Sequence, residues 1–132
     1  MDADRIGDVL EAVLDRIIPA DELGPGAAAL GVGEYVRRAL DGPYAADRPA
    51  YAAALQALEA RDFTALDGAG RDCLVAALEQ DDPAFFALLR SHAIEGLLGD
   101  PAHGGNRDGA GWALIGYPGP RREQSAADQA LR

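Results

Sequence analysis

The stretch "IGDVLEAVLDRII", Ile6 to Ile18, decides the fold. Its apolar residues Ile6, Val9, Leu10, Val13, Leu14, Ile17 and Ile18 recur at steps of three and four, which gathers all of them on one stripe of an α-helix. A strand would need apolar and polar residues to alternate at every second position, and no segment of the chain does so convincingly. Asp2 or Asp4 can accept hydrogen bonds from the first-turn N–H groups, and Pro19, with no N–H to donate, stops the helix.

The same period recurs downstream. "ADELGPGAAALG", Ala20 to Gly31, carries Gly24, Pro25 and Gly26 and reads as a loop. A second helix spans Val32 to Leu40, with Val32, Tyr35, Val36, Ala39 and Leu40 inward, Arg37 and Arg38 outward, and Asp41-Gly42-Pro43 as its stop. A third begins near Pro49, a good first-turn residue, presents Tyr51, Leu55 and Leu58, and ends around Asp62, with Phe63 and Leu66 pinning the connection. Asp67 reads as the N-cap of a fourth, whose stripe is Leu74, Val75 and Leu78. Asp82 before Pro83 opens a fifth, Pro83 to Leu98, that buries Phe85, Leu88, Leu89, His92 and Ala93 and is ended by Gly99. The expected architecture is all-α: about five short helices in a compact orthogonal bundle with a Gly/Pro-rich C-terminal loop. Residues 1–120 form one domain, and 121–132 form a polar tail of frayed helix or disordered chain.

Composition agrees. Hydrophobic residues make up 48% of the chain, rich in alanine, and aromatic residues only 6%, which suits close-packed helices better than a β-sandwich. With 132 residues, one core can hide roughly 70% of the surface that the unfolded chain exposes. The 22 acidic and 12 basic residues give a net charge of −10, which repels phosphate backbones and anionic lipid and argues against nucleic-acid or membrane partners. No apolar run approaches the length of a membrane span. The acidic start "MDADRIGDVL" lacks the basic and apolar regions of a secretory or twin-arginine leader, so the sequence as written predicts the cytoplasm, and the periplasm where a leader has been removed.

Little in the chain suits catalysis. There are two histidines, His92 and His103, and one cysteine, Cys73, which is expected to be a buried structural thiol. Ser91 and His92 are helix neighbours that point apart, and His92 reads as a histidine satisfying a local hydrogen bond. "EQDD", Glu79 to Asp82, lacks the glycine of a calcium loop, and no recognised ligand spacing for zinc is present. "GPGAAALGVG" and "GGNRDGAG" lack the Gly-Lys-Ser/Thr of a phosphate loop and the βαβ setting of a dinucleotide fingerprint.

What remains is "GGNRDGAGWALIGYPGP", Gly104 to Pro120, which holds the only tryptophan. Only "WALI" within it can form a helical turn. Glycines there allow positive φ or close backbone approach, and prolines reduce the entropy lost on ordering. Trp, Tyr and Arg are enriched in interface hot spots, so Arg107, Trp112 and Tyr117 are candidates for partner contact, with His103 beside them. The competing reading makes Trp112 and Ile115 a lid on the chain's own core.

These residues also carry a resemblance. "LDRIIPADELGPGAAALGVGEYV" (Leu14 to Val36) and "FFALLRSHAIEGLLGDPAHGGNRDGAGWALIGYPGP" (Phe85 to Pro120), with the acidic-capped helix pair between them, resemble the gluconate 2-dehydrogenase subunit 3 family. The resemblance implies a non-catalytic small subunit that binds and stabilises a large FAD-dependent, glucose-methanol-choline type dehydrogenase of a sugar, sugar acid or glycoside. FAD and the catalytic histidine then belong to that partner, and any cytochrome subunit is reached through it. This chain would hold no cofactor or metal and no catalytic residue. Family members that carry a twin-arginine signal are thought to co-export the flavoprotein, and no such signal is visible here. The family's motif covers Asn106, Arg107, Trp112, Ile115, Tyr117 and Pro118, which with the neighbouring loop residue His103 are the expected partner-binding residues, and Arg16 or Asp21 is expected to anchor the C-terminal loop. The alternative is a free-standing helical module that holds a small ligand, with His103 and Tyr117 at its mouth.

Overall fold

The computed structural model describes residues 3–21 and 24–114. The steps of three and four produce α1, Ala3–Ile17, which buries Val9, Leu10, Val13 and Leu14 while Asp4 and Asp8 stay exposed. It is followed by α2 (Ala27–Leu30), α3 (Val32–Leu40), α4 (Arg48–Glu59), α5 (Gly68–Asp81), α6 (Pro83–Leu98) and α7 (Ala110–Leu114), with single 3₁₀ turns at Ala45–Asp47, Phe63–Ala65, Pro101–His103 and Arg107–Gly109. Among the described residues there is no strand, only an isolated bridge between Asp21 and Gly24.

The fold is all-α, as the apolar spacing predicts, and the five helices of nine or more residues correspond to the five expected. α1 is the element they share, touching α2, α3, α4, α5 and α6. Its buried stripe meets Leu30, Val32, Val36, Tyr51, Leu55, Phe63 and Leu89 in one core. The expected caps form: Asp67 Oδ1 accepts from the Gly70 N–H at 2.8 Å, and Asp82 Oδ1 from the Phe85 N–H at 3.1 Å.

Three local readings are corrected. The segment read as a continuous loop holds α2, because Gly31 at φ 71° supplies a left-handed C-cap that closes a turn of small residues. Cys73 is exposed, not buried. On α5 only Leu74 is buried, and the residue before it lies about 100° around the helix, on the solvent side. Val75 and Leu78 are only partly buried, since α5 covers α1 and α6 from outside. The Arg16 guanidinium forms a two-pronged pair with Asp72 of α5 at 2.7 and 2.9 Å. That bond holds the Asp72 carboxyl below its ordinary pKa.

The α4-to-α5 connection is fastened by Glu59, which accepts from the Thr64 N–H at 3.1 Å and from its hydroxyl, and pairs with Arg5 of α1. Burial works to raise the Glu59 pKa, but the Thr64 bonds and Arg5 outweigh it and lower the value. A carboxyl with a depressed folded pKa contributes stability that is fully present above its unfolded value and is lost as pH falls through the folded one. Glu59→Gln is therefore expected to cost about 1–2 kcal/mol at pH 7. In urea titrations from pH 7 to pH 3, the gap between variant and wild type should narrow once pH drops below the ordinary carboxylate range. A gap that stays constant with pH would contradict the assignment.

Candidate functional site: the glycine-rich clasp and the tyrosine groove

α6 ends at a glycine, which leaves its last carbonyls without intrahelical donors. The chain then turns through Pro101–His103 and comes back across its own helix. Gly104, Gly105, Asn106, Asp108 and Gly109 all have positive φ, 85°, 57°, 41°, 58° and 72° in turn. Asn and Asp are the non-glycine residues that tolerate this region best. The Gly105 N–H donates to the Gly31 carbonyl at 3.0 Å, and a Cβ on Gly105 would stand 2.2 Å from the Gly96 carbonyl oxygen. A Cβ on Gly111 would stand 1.8 Å from the Leu97 oxygen. The motif's glycines therefore let the loop lie on backbone of its own fold, at the N-terminal end of α3 and the C-terminal end of α6.

Asn106 is 0% exposed, and both ends of its amide are engaged. Nδ2 donates to the Gly99 carbonyl at 2.6 Å, while Oδ1 accepts from the Gly111 N–H at 2.8 Å and the Trp112 N–H at 3.1 Å. One side chain thus satisfies the end of α6 and the start of α7. Trp112 is half-buried, and its indole Nε1–H donates to the Leu98 carbonyl at 2.5 Å, capping the same helix end. The indole nitrogen faces this chain's own fold. Arg107 is exposed, and its guanidinium lies over Gly31, where an added Cβ would be 3.1 Å from Nη2. Its charge bears on Glu11 of α1, which also pairs with Arg37 at 3.4 Å. Burial still holds the Glu11 carboxyl above its ordinary pKa, ahead of the lowering by Arg37 and Arg107. Ile115, Tyr117, Pro118 and the tail 121–132 lie outside the described residues.

His103 is exposed on the rim of a groove of about 390 Å³ that also takes in Tyr35, Arg38, Pro43 and Tyr44. The hydroxyls of Tyr35 and Tyr44 both donate to Glu95 Oε1, at 2.9 and 2.5 Å. Burial and the Glu95 bond raise the Tyr35 pKa, and the Glu95 bond and burial raise that of Tyr44. Behind them His92, 3% exposed, stacks on the Tyr44 ring at 4.2 Å between centroids, and its Nδ1 is 2.8 Å from the Tyr51 hydroxyl. In the tautomer in which Tyr51 donates, Nε2 carries the proton on the side of Asp47, 4.0 Å away. The histidine's partner is 41 residues distant in sequence, so its bond joins α4 to α6 instead of closing a local turn.

The sequence reading did not single out Tyr44 or Glu95. The available signal was "HAIE", His92 to Glu95, two polar groups three residues apart on an otherwise apolar helix. Among the described residues, no three His, Cys, Asp or Glu side chains converge as metal ligands, and no helix is long and apolar enough to cross a membrane. Every buried side-chain polar atom described has a hydrogen-bond partner. The arrangement is built to hold helix ends and rings in place, with His103, Arg107 and the tyrosine groove at the surface.

Removing the Asn106 amide should take from the part-buried Gly99 carbonyl and the buried Gly111 N–H the partner that the side chain supplies. Asn106→Ala is expected to cost the isolated chain about 2–4 kcal/mol in chemical denaturation, and Trp112→Phe about 1 kcal/mol. Unchanged stability of the isolated Asn106→Ala chain would refute the clasp.

No curated protein and no solved structure gave a significant match to the chain. The family model described as gluconate 2-dehydrogenase subunit 3 matches residues 5–119, which takes in all of α2 to α7 and nearly all of α1. The chain belongs to the gluconate 2-dehydrogenase subunit 3 family.

Proposed function

We propose that this chain is the non-catalytic small subunit of an FAD-dependent, glucose-methanol-choline type dehydrogenase, and that it binds and stabilises the large flavoprotein. The observation that carries the reading is the family match over residues 5–119: what the chain shares with the family takes in all of α2 to α7 and nearly all of α1, not an isolated motif. Support also comes from the chemistry of the chain. The buried polar groups described are spent on internal hydrogen bonds, and the net charge of −10 suits a surface that meets a basic one. In this reading FAD, the sugar-type substrate and the catalytic histidine belong to the larger subunit, any cytochrome is reached through it, and the compartment is that of the flavoprotein.

Binding to the folded flavoprotein stabilises it by mass action, about 2.7 kcal/mol when the small subunit stands at a hundred times its Kd. Co-expression with the large flavoprotein subunit should therefore yield a co-purifying complex and raise the flavoprotein's soluble yield and melting temperature. The isolated chain should bind no FAD and oxidise no sugar. A yellow, sugar-oxidising preparation of this chain alone, or a flavoprotein equally soluble and stable without it, would overturn the proposal.

A further inference from the structure

The groove between α3, the Pro43–Tyr44 corner and the Pro101–His103 turn has a floor that is rigid before anything docks on it. Both tyrosine hydroxyls are tied to one Glu95 oxygen, and the Tyr44 ring is backed by His92 at an interplanar angle of 9°. Aromatic surface fixed in advance loses little entropy on binding, which is what makes such rings good anchors.

The charge around the floor selects the occupant. Glu95 lies under the two phenols as their common acceptor. Asp47 bears on the Tyr44 hydroxyl and approaches His92 at 4.0 Å. Asp100 accepts from the N–H of Ala102, on the groove's other wall, at 2.9 Å. Against these three carboxylates stands the guanidinium of Arg38, and that is paired with Glu34 at 2.7 Å. The groove therefore presents tyrosine rings with three carboxylates close behind its lining and Arg38 as its one formally charged lining residue, on a chain of net charge −10. A planar guanidinium fits that combination: it stacks on tyrosine faces and is less strongly hydrated than an ammonium, so it loses less on leaving water. A space of about 390 Å³ takes one such side chain with its flanking backbone.

We propose that the Tyr35–Tyr44–His103 groove is a docking point for the larger subunit, occupied by an arginine on an extended segment of that partner. This rests on the small-subunit reading above. It moves the specific contact away from Asn106 and the Trp112 indole nitrogen, which serve the chain's own fold, to a face formed by residues far apart in sequence.

The test is a charge series at exposed Ala102, read as the Kd of the complex with the co-expressed flavoprotein at low and high salt. Ala102→Arg is expected to weaken binding about tenfold or more, because it sets like charge against the incoming guanidinium. Ala102→Glu, of comparable bulk, should leave Kd near the wild-type value or tighten it, with a steeper salt dependence. His103→Arg and His103→Glu repeat the series at a second exposed position, and thermal melts of the isolated variants confirm folding. Wild-type affinity in both arginine variants, with the wild-type complex intact, would overturn the groove and leave the small-subunit reading standing. Equal weakening by arginine and glutamate would overturn the cationic occupant. Failure of the wild-type chain to co-purify at all would overturn the small-subunit reading, and this one with it.

Discussion

One buried amide ties the end of α6 to the start of α7. Asn106 gives its N–H to the carbonyl at the end of α6 and takes the first N–H groups of α7, so two helix ends that would each be unsatisfied are closed by a single side chain. It can stand there only because the backbone on either side of it comes to within contact of other backbone. Gly105 rests on Gly96 and bonds to Gly31, and Gly111 rests on Leu97. Side chains at those positions would push the loop outward and take the amide away from its partners. Trp112 completes the closure at Leu98, and Arg107 carries the loop's charge over Gly31 toward Glu11 of α1. The motif is thus a clasp across α1, α3 and α6, the helices that form the centre of the core.

The clasp also shapes the surface beside it. The turn Pro101–His103 is set between the end of α6 and Gly104, whose position against the Tyr35 backbone brings His103 and Ala102 up to α3. The tyrosine groove therefore exists because the loop returns. Tyr35 and Tyr44, tied to Glu95, and Tyr51, joined to His92, add polar rivets between α3, α4 and α6 in a chain otherwise packed mostly with alanine and aliphatic side chains. Buried hydrogen bonds of this kind specify one arrangement of the helices more sharply than aliphatic contact alone.

Much of the framework was legible in the sequence because its signals are local. The helix from Val32 to Leu40 and the helix from Pro83 to Leu98 follow directly from apolar spacing, a glycine or aspartate at each boundary, and Pro83. The all-α class follows from the same spacing and the scarcity of aromatic residues. Features that depend on distant pairs were not legible. A lone asparagine between glycines gives no sign that it will be sealed at 0% exposure, since the atoms that seal it come from Gly99, Gly111 and Trp112 folding around it. Glycine-rich sequence announced close approach to some surface, but not that the surface was this chain's own α3 and α6. Cys73 looked buried because it sits beside Leu74 in an apolar run, while which side of α5 faces inward is set by α1 and α6. The Tyr44–Glu95 bond spans 51 residues, and no spacing rule reaches that far.

The most direct test of the clasp is native-state hydrogen exchange of the Gly111 and Trp112 amides in the isolated chain. First-turn N–H groups of a helix have no intrahelical acceptor, so without Asn106 they exchange at the rate of open loop. With Oδ1 of Asn106 accepting both, they should be protected to a degree comparable with the α6 amides of Leu89 and Ala93, in the absence of any partner. Exchange at unprotected loop rates in the isolated chain, with protection appearing only in the complex, would contradict the account and make the motif a loop ordered by its partner.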